Sequence, residues 1–161
     1  MNAKLDAWNG LAEEDAACVL LVFCASREWA RRLARARPIE DRATLLRAAE
    51  RCWAGLAETD WLEAFAAHPA IGAPDAVGLA AQEQAGARGA SEESLAALKE
   101  ANREYLEQFG WTFLISASGK TAEEMLSLCR ERLHNDSRTE LRVAAEEQKK
   151  ITRLRLERWL A

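Results

Sequence analysis

Helix breakers are scarce in this chain: three prolines and eight glycines are spread over 161 residues. The long stretches between them are rich in Ala, Leu, Arg and Glu, side chains that lose little rotamer freedom in a helix. The pattern predicts an all-α fold, a single-domain helical bundle of about eight helices over residues 1–161. Periodicity and punctuation put those helices at 10–22, 26–37, 41–56, 60–67, 76–85, 92–109, 121–133 and 137–160. Three starts carry a capping side chain three residues before a carboxylate: Asp60 with Glu63, Thr121 with Glu124, and Ser137 with Glu140. Pro38 and Pro69 end the helices before them, because the residue preceding proline is pushed out of the α region. Gly110 closes the helix carrying Leu98, Tyr105 and Phe109, and the apolar run Trp111 to Ser116 is long enough for a short extended segment but too short for a sheet.

Composition narrows the function classes. With 49% hydrophobic and 30% charged residues the chain can bury one sizeable core. The net charge of −4 gives no basic field for phosphate backbones, so no nucleic acid partner is expected. The longest apolar run, Ala16 to Ala25, falls short of the roughly 20 residues that cross a membrane, so no membrane partner is expected either. Cys18, Cys24, Cys52 and Cys129 form no CxxC pair and no zinc-ligand spacing, and read as buried thiols in a reducing compartment. Neither Met1 to Asp6 nor Trp159-Leu160-Ala161 has the pattern of a targeting signal, so a cytoplasmic location is expected.

Candidate site residues are polar groups set where the pattern calls for apolar ones. On the last helix, Leu141, Ala144, Ala145, Gln148, Ile151, Thr152, Arg155, Leu156 and Trp159 share one face. Arg155 and Gln148 lie in the middle of that stripe. A guanidinium aimed inward keeps its proton, so Arg155 belongs either to a core salt bridge or to an anionic ligand. His68 is in phase with Trp61 and Phe65, and Pro69 forces a turn just after it. It is either a satisfied histidine under a loop or an imidazole held to exchange protons near neutral pH. Glu83 and Gln84 end a small apolar helix and face either solvent or a packed partner. Ile115-Ser-Ala-Ser-Gly-Lys120 is either a plain capped turn or a small-residue loop whose backbone a ligand can approach. Arg27, Arg31, Arg32, Arg35 and Arg37 read as a solvated helix face, with Arg27 engaged in structure, and His134 faces solvent.

Taken in order, CASREWA, DWLEAFAAHPAIG, EQAG, ISASGKTAEEML and ELRVAAEEQKKITRLRL resemble the 2-oxo-4-hydroxy-4-carboxy-5-ureidoimidazoline (OHCU) decarboxylases over nearly the whole chain. The resemblance implies a carboxy-lyase that converts this ureidoimidazoline to (S)-allantoin in urate degradation, as an all-α homodimer with no metal and no cofactor. It makes the HPAIG histidine, His68, and the glutamate of the EQ pair, Glu83, catalytic. Pro69, Ala80, Gln84, Arg155 and the backbone of Ile115, Ser116, Ala117, Ser118 and Gly119 would meet the substrate. Many relatives have a basic residue where this chain has Ala70 and a serine where it has Ala80. The missing hydroxyl removes a contact worth about 0.5–1.5 kcal/mol. A related ureide-pathway enzyme with an altered substrate and a non-catalytic helical interaction module are the alternatives at this level.

Overall fold

The computed structural model describes residues 2–72 and 83–161. Among the described residues there are eight α-helices and no strand: α1 (Ala3–Asn9), α2 (Glu13–Leu20), α3 (Arg27–Arg35), α4 (Arg42–Ala54), α5 (Glu58–Ala66), α6 (Glu92–Phe109), α7 (Ala122–Arg132) and α8 (Ser137–Trp159). A short 3₁₀ turn covers Ala85–Ala87. Most of the helix expected at 76–85 lies outside the described residues, as does Ala80. The chain divides into two compact units, one holding the residues up to Ala64 together with Lys149–Ala161, the other Phe65–Gln148.

The first unit opens with a helix the periodicity did not announce. The Asn2 side chain accepts the N–H groups of Lys4 and Leu5, which starts α1, and α1 then buries only Leu5 and Trp8. Seven residues give too few turns for a periodic signal. Trp8 donates its indole N–H to the Ala16 carbonyl (2.9 Å), and Arg37 lies over its ring. Trp159, at the end of α8, packs against Phe23 with tilted rings whose centres are 5.3 Å apart. The arginine run on and after α3 is engaged piece by piece. Arg31 and Arg32 pair with Glu28, Arg35 pairs with Glu13, and Arg37 donates to the carbonyls of Trp8, Asn9 and Leu11. Glu63 does not close a capping box. Helix α5 begins at Glu58, so Asp60 falls inside its first turn, and Glu63 instead accepts both the backbone N–H and the guanidinium of Arg27.

In the second unit, Leu98, Ala101, Tyr105 and Phe109 of α6 and Ala122, Met125 and Cys129 of α7 belong to one apolar cluster. Gly110 ends α6 in the left-handed conformation (φ 84°), which glycine adopts without a Cβ penalty. Residues 111–117 then run without a strand ladder. The segment is fixed partly by Arg132, whose guanidinium donates to the Leu114 carbonyl at 2.6 Å. Thr121 and Glu124 form the expected capping box of α7. At α8 the cap is Asp136, one residue earlier than anticipated: its carboxylate accepts the Thr139 N–H at 2.9 Å, which holds the carboxyl below its ordinary range.

Glu140 is therefore not a capping partner. It is fully buried and accepts from Tyr105 (2.5 Å), from the Arg132 guanidinium (2.6 Å) and from Asn135 (3.0 Å). Trp111 donates in turn to the Tyr105 hydroxyl at 3.1 Å. Burial, followed by the hydrogen bond to Glu140, holds the Tyr105 hydroxyl well above its ordinary pKa.

Candidate active site

The second unit brings four of the sequence islands together. Helix α5 runs out after Ala66, and the His68 N–H still reaches the Phe65 carbonyl at 3.2 Å, so the imidazole sits just past the last turn, where Pro69 prevents a further one. His68 and Pro69 are half-buried, Ala70 is exposed and Ile71 is buried. Downstream, the Ile71 carbonyl accepts from Asn102 of α6, and the Gly72 N–H donates to Gln84 Oε1 at 3.0 Å. Gly72 has a φ of +80°, a left-handed turn that lets the HPAIG segment fold back. Asn102 Oδ1 is buried and has no hydrogen-bond partner among the described residues.

The His68 ring is held from α8. Its Nε2 lies 2.6 Å from Oε1 of Gln148, a side chain with no solvent exposure. An amide oxygen accepts and cannot donate, so a neutral His68 ring that bonds to this oxygen does so as the Nε2–H tautomer. The periodicity had put Gln148 on the inward stripe of α8. That stripe is buried throughout except at Trp159, which is half-buried. The bond to His68 had no signal in the sequence, because it joins residues 80 positions apart.

Ser116 anchors the small-residue loop. Ile115, Ser116 and Ala117 are buried, Ser118 is half-buried and Gly119 is exposed in a left-handed turn (φ 79°). The Ser116 N–H donates to Glu147 Oε2 at 3.2 Å, and its carbonyl accepts from Lys120 Nζ at 2.7 Å. The EQAG turn meets this loop at Gly86, where an added Cβ would stand 1.8 Å from the Lys120 carbonyl oxygen. Glu83 is buried at the start of the same turn, and Gln84 is half-buried. Gly86→Ala cannot be accommodated by moving a side chain, since the obstacle is backbone. It is expected to cost about 1–3 kcal/mol, measured by urea denaturation; an unchanged midpoint would mean that the turn and loop separate freely.

Arg155 belongs to the first unit. Its guanidinium is buried and donates to the Phe23 carbonyl at 3.3 Å, and its charge acts on Cys24. Burial nevertheless pushes the Cys24 thiol up to about 11, and burial does the same for Cys129. Both are inert as nucleophiles at neutral pH. All four cysteines are free, but Cys18 is exposed and Cys52 half-buried, so the expectation of buried thiols holds for two of the four. Cys18 lies on the outer face of the short helix α2, whose apolar run continues beyond what the core can cover. His134 is exposed, as its polar surroundings suggested. Among the described residues, no group of three or more His, Cys, Asp or Glu is arranged to hold a metal ion, and no helix is long and apolar enough to cross a membrane.

The OHCU decarboxylase family pattern matches residues 9–157. A crystal structure of an OHCU decarboxylase in the presence of (S)-allantoin superposes with a TM-score of 0.79 at 35% identity, covering 93% of this chain and 99% of that one. The uric acid degradation bifunctional protein TTL of Arabidopsis thaliana is 37% identical over 84% of this chain, which spans 44% of that protein's length. A uric acid degradation bifunctional protein of a Bacillus species is 39% identical over 35% of this chain, and this match takes in 11% of its length. An (S)-allantoin synthase at 19% identity shares the fold, with a TM-score of 0.75.

Proposed function

The chain belongs to the OHCU decarboxylase family, and on that premise we propose that it decarboxylates 2-oxo-4-hydroxy-4-carboxy-5-ureidoimidazoline to (S)-allantoin, as a carboxy-lyase of urate degradation. The observation that carries the proposal is the imidazole of His68, set past a helix end and tied through Nε2 to the buried Gln148 amide.

The chemistry asks little of a protein beyond placement. As the bond to the carboxylate carbon breaks, carbon dioxide leaves and its electron pair enters the substrate's own conjugated C=N system. No added electron sink is needed. The ring nitrogen that receives the pair takes up a proton from solvent, and the hydroxyl then loses a proton while the carbon bearing the ureido group gains one, from one face only if the product is a single enantiomer. His68, with its lone pair on Nδ1, is assigned that proton exchange. Glu83 is assigned the orientation of the ureido N–H groups, which a carboxylate accepts.

Gln84 gives its oxygen to Gly72, so the end suited to a ligand is its NH₂, which donates to a substrate carbonyl. Pro69 shapes the wall beside His68. Residues Ile115 to Gly119 offer backbone to the substrate, and Ala80 occupies the position where many relatives carry a serine. Arg155 is assigned to a ring or ureido oxygen. A guanidinium on the departing carboxylate would stabilise the charge the reaction must disperse, and so would slow it. Assembly as a homodimer and residence in the cytoplasm belong to the same proposal, the latter favoured by the four free thiols.

Generating the unstable substrate from urate with uricase and hydroxyisourate hydrolase, and following the circular dichroism of the product, tests the activity. Enantiomeric allantoin is expected well ahead of spontaneous decay. Racemic product at the uncatalysed rate would reject the proposal.

A further inference from the structure

Glu147 and Gln148 are consecutive residues of α8. Successive side chains on a helix point about 100° apart, so one turn can reach two neighbours at once. Here each grips a different part of the candidate site. Gln148 Oε1 meets His68 Nε2 at 2.6 Å, and Glu147 Oε2 accepts the Ser116 N–H at 3.2 Å. Lys120 takes the Ser116 carbonyl at 2.7 Å, so both backbone polar groups of Ser116 are bound by side chains.

Packing alone does not account for Gln148. It is fully buried on the stripe that also carries Ala144, Ala145 and Ile151. An amide in such surroundings costs free energy unless it is hydrogen-bonded, and an aliphatic side chain there would fill the same space without that cost. What the amide adds is a choice of tautomer. The nitrogen of a neutral imidazole that carries the proton is set by the bond the ring makes, and a bond from Nε2 to a carbonyl oxygen leaves the basic lone pair on Nδ1.

We infer that Glu147 and Gln148 are positioning residues for the decarboxylation: Gln148 fixes the ring and tautomer of His68, and Glu147 fixes the Ser116 end of the substrate-facing loop. Neither touches the reacting atoms. The Ser116 amide is thereby a loop anchor, and the N–H groups the loop offers the substrate are those of its other residues. This inference rests on the decarboxylase reading for its kinetic consequence, but not for its structural one.

The two histidines of the chain make the test direct, because exposed His134 serves as an internal reference for His68. In this chain, ring ¹⁵N spectra are expected to show His68 held with Nε2 protonated. Gln148→Leu should release it to a tautomer mixture like that of His134 and lower kcat by about 10–100-fold, with KM within about 3-fold of wild type. Gln148→Glu keeps an acceptor oxygen, so it should retain the Nε2–H signature. Glu147→Ala should act mainly on KM, raising it, with the His68 spectrum unchanged.

An unaltered His68 spectrum and kcat in Gln148→Leu would overturn the inference. If that variant does not fold, loss of the Nε2–H signature in Gln148→Glu overturns it instead. Should the wild-type protein fail to turn over the ureidoimidazoline, the decarboxylase reading falls, while the spectra still decide whether Gln148 governs the ring.

Discussion

Replacing His68 with alanine is expected to lower kcat for the ureidoimidazoline by about 10²–10⁴-fold, the usual worth of a placed proton-transfer group. The fold should survive. His68 lies past the end of α5 and is only half-buried, so the helical circular dichroism should not change. Some stability is lost with the 2.6 Å bond between the ring and the buried Gln148 amide. A hydrogen bond of this kind contributes about 0.5–1.5 kcal/mol. The signature is thus a large kinetic effect with a modest shift in denaturation midpoint. A variant that turns over within about 3-fold of wild type would remove His68 from the proton-transfer role, since no such placement of a general base would then be in use.

The largest effect on stability is expected at Glu140. Its carboxylate gathers Tyr105, Arg132 and Asn135 in an interior position, and Arg132 itself is nearly buried. Glu140→Ala removes the acid and strands a guanidinium that cannot release its proton, which costs about 3–5 kcal/mol for a buried pair. Urea denaturation gives the number. The double variant Arg132→Met/Glu140→Leu should recover most of the loss, because replacing both partners by apolar groups removes the uncompensated charge. A loss below about 1 kcal/mol in the single variant would mean that water reaches the pair and screens it. The single variant should also loosen Leu114, whose carbonyl Arg132 holds, and with it the approach to the loop at Ile115.

Where a side chain's role follows from local periodicity, the sequence disclosed it. The inward face of α8, including Gln148 and Arg155, could be counted off at one residue per 100° and is buried in the structure. Thr121 with Glu124 and the end of α6 at Gly110 are equally local. The capping expectations failed where a carboxylate had a distant competitor. Glu63 is claimed by Arg27 and Glu140 by Arg132, and a charge-assisted bond to a guanidinium outweighs one to a backbone N–H. The buried network around Glu140 stayed hidden for the same reason: Arg132, in a polar stretch near a helix end, looks solvated until its partner is known. In the candidate site, His68, Glu83 and Gln84 were conspicuous by residue type. Their partners, Gln148 and the Gly72 N–H, were not, since contacts between remote segments leave no spacing to read.

The close approach at Gly86 bears on redesign. With no room for even a methyl group between that residue and the Lys120 carbonyl, the EQAG turn and the ISASGK loop behave as one interlocked block. Libraries built on the candidate site would do better to exchange the two segments as a matched cassette than to randomise either alone.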